Sequence, residues 1–424
     1  MIKIVVLTTL LLSSWGAMAQ KSCVIRGRVI DRPESKELWV APANSDSRVV
    51  EPTKVKVGDD GTFSLSIPFE KSEIYSITFK DEITKGSWRP INFMLEDGTI
   101  EFELNAKDRF EDNRIEGGKL NEKFAYLDSG IRSKYGATIE SLLTKLYDEL
   151  GEAAYSTEYK SCLDSLSIDG LSQDGKSKIF HRLDELRTEE RMYNDEGNVI
   201  YRKLIETSQA VENEVLAKIR RESNEASLAK LYMYVVSNRF STNKDKDALY
   251  AEIFEHYFAK RYADNPMAIK ISEMLEATKV QVGSSFVDFE APDIDGRSHR
   301  LSELIEGKVA VLDLWASWCG PCMQTSKSFI PIWERYRERG FEIVGVARER
   351  GNTKAMSAAI ERLGLEWLNL VELNDEGKIW TKYGAGNSGG KVILLDRDGR
   401  IVAMDFTADE LERHLEVLIP KTMN

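Results

Sequence analysis

Cysteine and histidine are both scarce in this chain of 424 residues, which contains four of each. A structural zinc site needs about four sulfur or nitrogen ligands, usually at short spacing in the sequence. No two of the four histidines stand at such a spacing, and Cys23 and Cys162 are far from each other and from the remaining cysteines. We therefore predict no metal site, and the sequence shows no pattern typical of a bound cofactor.

Long apolar runs are also lacking after the first residues. Residues 4–12 form a mostly apolar run, which follows Lys3 and precedes the small residues Ala-Met-Ala at 17–19. A charged start, a short apolar core and a small-residue cleavage site are typical of a secretory signal peptide. We therefore predict a signal peptide at residues 1–19, no transmembrane segment in the mature chain, and a periplasmic or other extracytoplasmic location. The alternatives are a buried N-terminal strand and lipid attachment at Cys23, although the residues before this cysteine do not form a lipobox.

Positive charge is not in excess. The 58 Lys and Arg residues are outnumbered by 70 Asp and Glu residues, which gives a formal net charge of −12. Nucleic acids and anionic lipid surfaces attract proteins of the opposite balance, so we predict neither as a partner. The length and the 42% hydrophobic content indicate a globular protein of two or three domains.

Two of the four cysteines lie in one motif, Trp-Cys-Gly-Pro-Cys at residues 318–322, between an apolar run and a helix-like segment. This order places Cys319 at a helix N-terminus, where unpaired N–H groups and the helix dipole favour a thiolate. Gly320 permits a tight turn, and Pro321 suits the first helical turn because its missing N–H is not needed there. We predict that Cys319 attacks a substrate disulfide and that Cys322 resolves the mixed disulfide.

A zinc half-site and a purely structural disulfide are the alternative interpretations of a single Cys-x-x-Cys motif. The shortage of further ligands disfavours zinc. The predicted export would place the motif in an oxidising compartment, where a reductase needs an upstream electron donor. The even cysteine count also permits a bridge between Cys23 and Cys162, but the sequence does not establish the distance between them.

Residues 283–418 resemble a TlpA-like thioredoxin-fold disulfide reductase. The resemblance rests on the motif that begins at Trp318, on a strand-like segment at 341–347 and on a hairpin-like segment at 391–402. It implies an α/β thioredoxin fold over residues 283–424 and reduction of disulfide-bearing protein substrates, because Gly-Pro between the cysteines is similar to the reducing members of the group.

The resemblance also implies a role for Asp313, six residues before Cys319. In the family, a buried carboxylate at this place takes the proton from the resolving thiol. The alternative is an ordinary aspartate at the edge of a strand. An Asp inside the run Val-Leu-Asp-Leu-Trp is costly to bury without a role, which favours the functional interpretation.

One departure from the family concerns residues 384–391, where a cis-proline is expected before the hairpin. Glycines occupy this stretch, and we predict that Gly389 or Gly390 reproduces the path of the loop without the rigidity of proline. The departure affects the expected substrate-binding surface. The glycine spacing does not match a phosphate-binding loop, and a strand rather than a helix follows.

The remainder of the chain is expected to contain two further regions. Short alternating runs separated by turn residues predict an antiparallel β-sandwich at residues 20–112. It resembles the small β-domain of unknown function that is often fused upstream of TlpA-like modules in Bacteroidota. Apolar residues at three- and four-residue spacing predict an α-helical region at residues 113–282.

These observations favour an exported thiol–disulfide oxidoreductase, more specifically a reductase. An envelope binding or sensing protein with a vestigial or regulatory thioredoxin module is the alternative from another class. A thiol peroxidase is disfavoured because Ala316 stands where such enzymes need Thr or Ser three residues before the reactive cysteine.

Overall fold

The structure is a computed structural model that describes residues 21–86, 89–168, 170–171, 173–241, 243–387 and 389–420. The predicted signal peptide at residues 1–19 lies outside these ranges. The chain divides into two compact units. Met1–Val40 and Lys54–Glu122 form the first, whereas Ala41–Thr53 and Lys123–Asn424 form the second. Within the described ranges, every helix is too short or too polar to cross a membrane.

The first unit is built mainly from strands with alternating buried and exposed residues. Its strands are β1 (Lys21–Val29), β2 (Glu37–Pro42), β3 (Thr53–Lys56), β4 (Thr62–Phe69), β5 (Ile74–Phe79), β6 (Ile91–Met94), β7 (Gly98–Leu104) and β8 (Arg114–Glu116). They form two four-stranded sheets, ordered β4-β1-β7-β8 and β3-β2-β5-β6. A short helix, α1 (Lys80–Thr84), and a 3₁₀ helix, Lys107–Asp112, lie in the connections.

Both sheets contribute side chains to one apolar core. Phe93 on β6 meets Phe102 on β7 edge to face, with ring centroids 5.3 Å apart. This confirms the predicted β-rich first region. The arrangement differs from a purely antiparallel sandwich, since β1 pairs in parallel with β7. An alternating pattern is compatible with either strand direction, and for that reason the sequence did not indicate this pair.

Helices dominate the first part of the second unit, as predicted. They are α2 (Lys119–Asp128), which begins in the first unit, α3 (Ile131–Leu143), α4 (Thr157–Leu166), α5 (Gln173–Thr188), α6 (Asp195–Glu222), α7 (Glu225–Ser241), α8 (Lys244–Tyr257) and α9 (Pro266–Ala277), with a π-helical turn at Thr144–Glu149 and a 3₁₀ turn at Gly151–Ala154. Asn194, Asn243 and Asn265 each precede a helix and accept hydrogen bonds from its first backbone N–H groups. Such caps satisfy donors that have no partner within the helix.

The last part of the second unit has the thioredoxin fold, which confirms the predicted α/β domain. Its elements are β9 (Glu290–Pro292), β10 (Ser298–Arg300), α10 (Leu301–Ile305), β11 (Val309–Trp315), α11 (Gly320–Tyr336), β12 (Phe341–Glu349), α12 (Lys354–Leu363), β13 (Asn369–Leu373), α13 (Ile379–Lys382), β14 (Lys391–Leu395), β15 (Ile401–Met404) and α14 (Ala408–Leu418). Five strands form a mixed sheet, ordered β13-β12-β11-β14-β15. The central β11 pairs in parallel with β12 and antiparallel with β14, and all seven of its residues are buried.

Cys23 and Cys162 are both free thiols, so the bridge that the cysteine count permits is absent. Cys23 is enclosed in the core of the first unit, where burial raises the pKa of its thiol. Cys162 lies on α4 and is partly exposed.

Candidate active site

The two cysteines of the motif lie where the central strand passes into a helix. Cys319 is the N-terminal cap of α11, and its Sγ accepts a hydrogen bond of 3.3 Å from the backbone N–H of Cys322. The two residues form a disulfide with their Cα atoms 5.3 Å apart. In the reduced state, the N-terminus of a helix of this length stabilises negative charge on the capping sulfur. Gly320 and Pro321 form the first turn, as the sequence predicts.

The residues just before Cys319 are fixed to the end of β12. Trp318 donates from its indole N–H to the carbonyl of Arg348 at 3.1 Å. Ser317 donates from both its backbone N–H and its hydroxyl to the buried carboxylate of Glu349, each at 2.8 Å. Sequence reasoning missed Glu349. The available signal was the charged pair Arg348-Glu349, which directly follows the apolar run of the strand. These bonds hold the turn that presents Cys319.

Asp313 lies inside the central strand and is 1% exposed. Burial raises the pKa of its carboxyl group to about 7, although a hydrogen bond from Ser326 opposes the rise. The hydroxyl of Ser326 on α11 lies 2.6 Å from Asp313 Oδ2 and 3.1 Å from the carbonyl oxygen of Cys322. Ser326 therefore links the buried carboxyl group to the backbone of Cys322, a connection that the sequence analysis did not predict. Its position four residues after Cys322 on the helix was the available signal.

Removal of the Ser326 hydroxyl is expected to raise the pKa of Asp313 further. Ser326→Ala deletes a hydrogen bond that favours the ionised carboxylate, while burial remains. The protonated carbonyl stretch of Asp313, followed by infrared difference spectroscopy against pH, should disappear at a higher pH than in the wild type. Ser328→Ala, on the same helix but exposed, is the matched control. A lower or unchanged midpoint in Ser326→Ala would contradict the assignment.

The two glycines that stand in place of the expected proline both lie beside the cysteines. The backbone N–H of Gly390 donates to Cys322 Sγ at 3.0 Å. A Cβ atom at Gly390 would lie 2.0 Å from the carbonyl oxygen of Leu314 and 2.8 Å from Cys322 Sγ. At Gly389, it would lie 3.9 Å from Cys319 Sγ, an ordinary contact. Close approach of the backbone thus requires glycine at 390 but not at 389.

The segment Ala41–Thr53 also reaches this site within the second unit. The Arg48 guanidinium lies 4.0 Å from the centroid of the Trp318 ring and donates to the carbonyl of Asn387 at 2.8 Å. Asp46 accepts from Arg48 at 2.7 Å and from Arg348 at 3.1 Å. Burial opposes ionisation of Asp46, but these two cations hold the pKa of its carboxyl group below the ordinary value. Sequence reasoning did not find these residues, because they lie some 270 residues before the motif.

Chemically, the site contains a disulfide, a buried carboxyl group and a backbone N–H that donates to the second sulfur. In the parts of the chain that the structure describes, no group of three or more His, Cys, Asp or Glu residues is placed to hold a metal ion.

Comparisons with known proteins agree with this chemistry. The family model described as the AhpC/TSA family matches residues 282–404, and the model described as a domain of unknown function (DUF4369) matches residues 23–124. The thiol–disulfide oxidoreductase ResA of Geobacillus thermodenitrificans is 31% identical over 150 residues, which cover 34% of this chain and 82% of the relative. ResA of Geobacillus kaustophilus is 32% identical over 149 residues, with the same coverage.

Among solved structures, the thioredoxin domain of a thiol–disulfide oxidoreductase from Bacteroides vulgatus is 24% identical. The matched region covers 33% of this chain and 98% of that domain, with a TM-score of 0.31. The ResA relatives are similar to this chain over most of their own length. The AhpC/TSA match at residues 282–404 includes Cys319 and Cys322. The chain therefore belongs to the family of thiol–disulfide oxidoreductases that includes the ResA proteins.

Proposed function

We propose that this protein is an exported reductase of disulfides in protein substrates and that it acts through Cys319 and Cys322. One observation carries the proposal: Cys319 caps α11, and its Sγ faces the backbone N–H of Cys322. This geometry favours the thiolate that thiol–disulfide exchange requires. The names of the ResA relatives support the same type of reaction.

The proposed reaction has two exchange steps. The Cys319 thiolate attacks one sulfur of the substrate disulfide, so that a Cys319–substrate bond forms, the substrate S–S bond breaks, and the leaving sulfur takes up a proton. Cys322 then loses its proton and attacks Cys319 Sγ, which forms the Cys319–Cys322 disulfide and releases the second substrate thiol. The substrate gains two electrons, and the protein loses two. An upstream dithiol donor must therefore reduce the protein again.

In the second step, we assign proton acceptance to Asp313. A carboxyl group with a pKa of about 7 is suited to accept a proton near neutral pH. Its link to Cys322 through Ser326 supports this role. The N–H of Gly390 donates to Cys322 Sγ and would stabilise negative charge as it develops on that sulfur. Trp318, Gly320, Pro321 and Gly389 shape the surroundings of Cys319 in this proposal.

The subtype of the protein, its domain boundaries and its export are also part of the proposal. The motif and the strand–helix order support a TlpA-like subtype, and the DUF4369 match supports the expected N-terminal domain. We propose a signal peptide at 1–19, a β-domain at 20–112, a helical region at 113–282 and the thioredoxin-like domain at 283–424. The sequence pattern at the N-terminus supports export to the periplasm or another extracytoplasmic compartment.

Selective alkylation of the reduced protein tests the assignment of the two sulfurs. Cys319 is expected to react with iodoacetamide near neutral pH at least about tenfold faster than Cys322, because a lowered pKa increases its thiolate fraction. Peptide mapping after short exposure measures both rates, with the partly exposed thiol of Cys162 as an internal reference. First reaction at Cys322 would reverse the roles.

Reduction of insulin disulfides tests the function itself. Cys319→Ser should abolish turnover, whereas Cys322→Ala should retain the first exchange and accumulate a mixed disulfide that gel electrophoresis without reductant detects. Cys162→Ser is the matched control and should retain turnover. Turnover at the background rate in both the wild type and Cys319→Ser would instead support a binding or sensing protein with a vestigial thioredoxin module.

A further inference from the structure

A cavity of about 290 Å³ lies within the second unit, close to the candidate active site. Its walls come from the segment Ala41–Thr53, from α7 and α9, and from the turn at residues 384–387. Apolar side chains, including Val236 and Met274, line part of it. A cavity that combines apolar walls with a few convergent polar groups is typical of a ligand site.

Arg239 on α7 is the distinctive polar group of this cavity. Its guanidinium lies against the backbone of Gly386. A Cβ atom added to Gly386 would lie 3.1 to 3.4 Å from the nitrogen and carbon atoms of this guanidinium. Gly386 has a φ of +52°, which strains any residue with a side chain, and a Cβ atom at this position would crowd the guanidinium. The backbone turn thus leaves room for the guanidinium in the wall of the cavity.

The charge of Arg239 is not matched by a direct partner. Among the residues that the structure describes, none forms an ion pair or hydrogen bond with its guanidinium, and burial lowers its pKa despite the field of Asp247. The carboxylates of the cavity are all engaged elsewhere. Asp46 pairs with Arg48 and Arg348, Asp375 pairs with Arg348, and Glu273 pairs with Lys378. A partly buried cation without a directly paired counter-charge is costly unless an anion binds it.

The cavity and the reactive sulfur are joined by one short stretch of chain. Asn387 lines the cavity, and Gly389, two residues further on, lies beside Cys319. Two residues span at most about 7 Å. A group bound at Arg239 could therefore belong to the same molecule as a disulfide that reaches Cys319 Sγ.

We propose that this cavity binds a carboxylate of the disulfide substrate through Arg239, an inference that rests on the proposed reductase function. The carboxylate accepts paired hydrogen bonds from the guanidinium, and the apolar walls pack against the methylene groups that carry it. The bound carboxylate belongs either to an acidic side chain near a substrate cysteine or to a small disulfide compound.

The test compares two oxidised peptides that differ only in Glu or Gln, with the acidic position placed one to four residues after the cysteine. At the best position, the wild type is expected to show a kcat/KM roughly tenfold higher for the Glu peptide. Arg239→Gln should reduce this ratio to near one. Arg413→Gln removes the same charge from an exposed site and should keep the wild-type ratio.

A parallel arm with oxidised glutathione distinguishes the source of the carboxylate. A loss in Arg239→Gln that is confined to glutathione would identify a small disulfide, and a loss confined to the peptides would identify a polypeptide. If the wild type reduces both peptides and glutathione but Arg239→Gln changes none of the ratios, the cavity is not a carboxylate site. If the wild type reduces no disulfide at all, the proposed function fails instead.

Thermal unfolding separates a structural role for Arg239 from binding. Because Arg239→Gln removes a partly buried charge without a direct partner, its Tm is expected to equal or exceed that of the wild type. A clear fall in Tm together with an unchanged Glu-to-Gln ratio would assign Arg239 to packing and overturn the proposal.

Discussion

Replacing Asp313 with Asn is expected to slow release of the substrate from the mixed disulfide by roughly 100-fold, a typical contribution of general base catalysis. Asn has nearly the same shape and keeps a partner for the Ser326 hydroxyl, but it cannot accept the proton of Cys322. The attack of Cys319 on the substrate does not need this acceptor. The mixed disulfide should therefore accumulate in the variant.

Rapid mixing of reduced protein with an excess of oxidised peptide, followed by acid quenching and mass spectrometry, measures both steps. Ser326→Ala is the informative comparison, since it removes the link to Cys322 but leaves the carboxyl group in place. Equal slowing of attack and release in Asp313→Asn would mean that Asp313 acts through packing.

The same substitution is expected to change the pH dependence of stability. The folded-state pKa of about 7 lies above the ordinary value of 3.8, so the folded chain keeps a proton that the unfolded chain loses between these values. The stabilisation from Asp313 is complete below about pH 4 and is lost as the pH rises through 7. Relative to the wild type, the free energy of unfolding of Asp313→Asn should rise by up to ~4 kcal/mol from pH 4 to 7 and then stay level. If urea titrations gave the wild type and Asp313→Asn the same dependence of stability on pH, the raised pKa of Asp313 would be refuted.

Local chemistry explains why much of the site could be predicted. The position of Cys319 at a helix N-terminus follows from an apolar strand, Gly320 and Pro321, all within a few residues. The burial of Asp313 follows from the apolar residues on both sides of it. In each of these cases, the determining interactions lie within one strand or one helical turn.

The remaining site residues depend on contacts between distant parts of the chain. Arg48 meets Trp318 only because the segment Ala41–Thr53 packs in the second unit, and neither residue has a local pattern that indicates the other. Arg239 lies on a helix whose apolar spacing predicts only packing. At Gly390, the resemblance drew attention to the loop, whereas the physical requirement for glycine comes from the carbonyl of Leu314 on the central strand.

Gly390→Ala is expected to lower the free energy of unfolding by about 2 to 3 kcal/mol, as overpacking in a dense core does. The added Cβ would lie 2.0 Å from the carbonyl oxygen of Leu314, which belongs to the central strand and cannot move without disturbing the sheet. Relief therefore requires the loop to move away. That movement would lengthen the hydrogen bond from the Gly390 N–H to Cys322 Sγ.

Gly389→Ala is the matched control, since it adds the same methyl group one residue earlier. There the new Cβ would be 3.9 Å from Cys319 Sγ, and Gly389 is exposed. We expect its stability to change by less than about 0.5 kcal/mol. Urea unfolding of the oxidised proteins and insulin turnover of both variants provide the measurements, and equal effects would contradict the structural distinction between the two glycines.

Proline at position 390 should lower the free energy of unfolding more than alanine does, despite the family pattern that places a proline in this loop. It would remove the N–H that donates to Cys322 Sγ and add ring atoms where a single methyl group already collides.

In Gly390→Ala molecules that remain folded, the weakened bond to Cys322 Sγ should slow the resolving step more than the first attack. The glycine at 390 would then both permit the close approach of two backbone segments and supply the donor that the resolving sulfur needs.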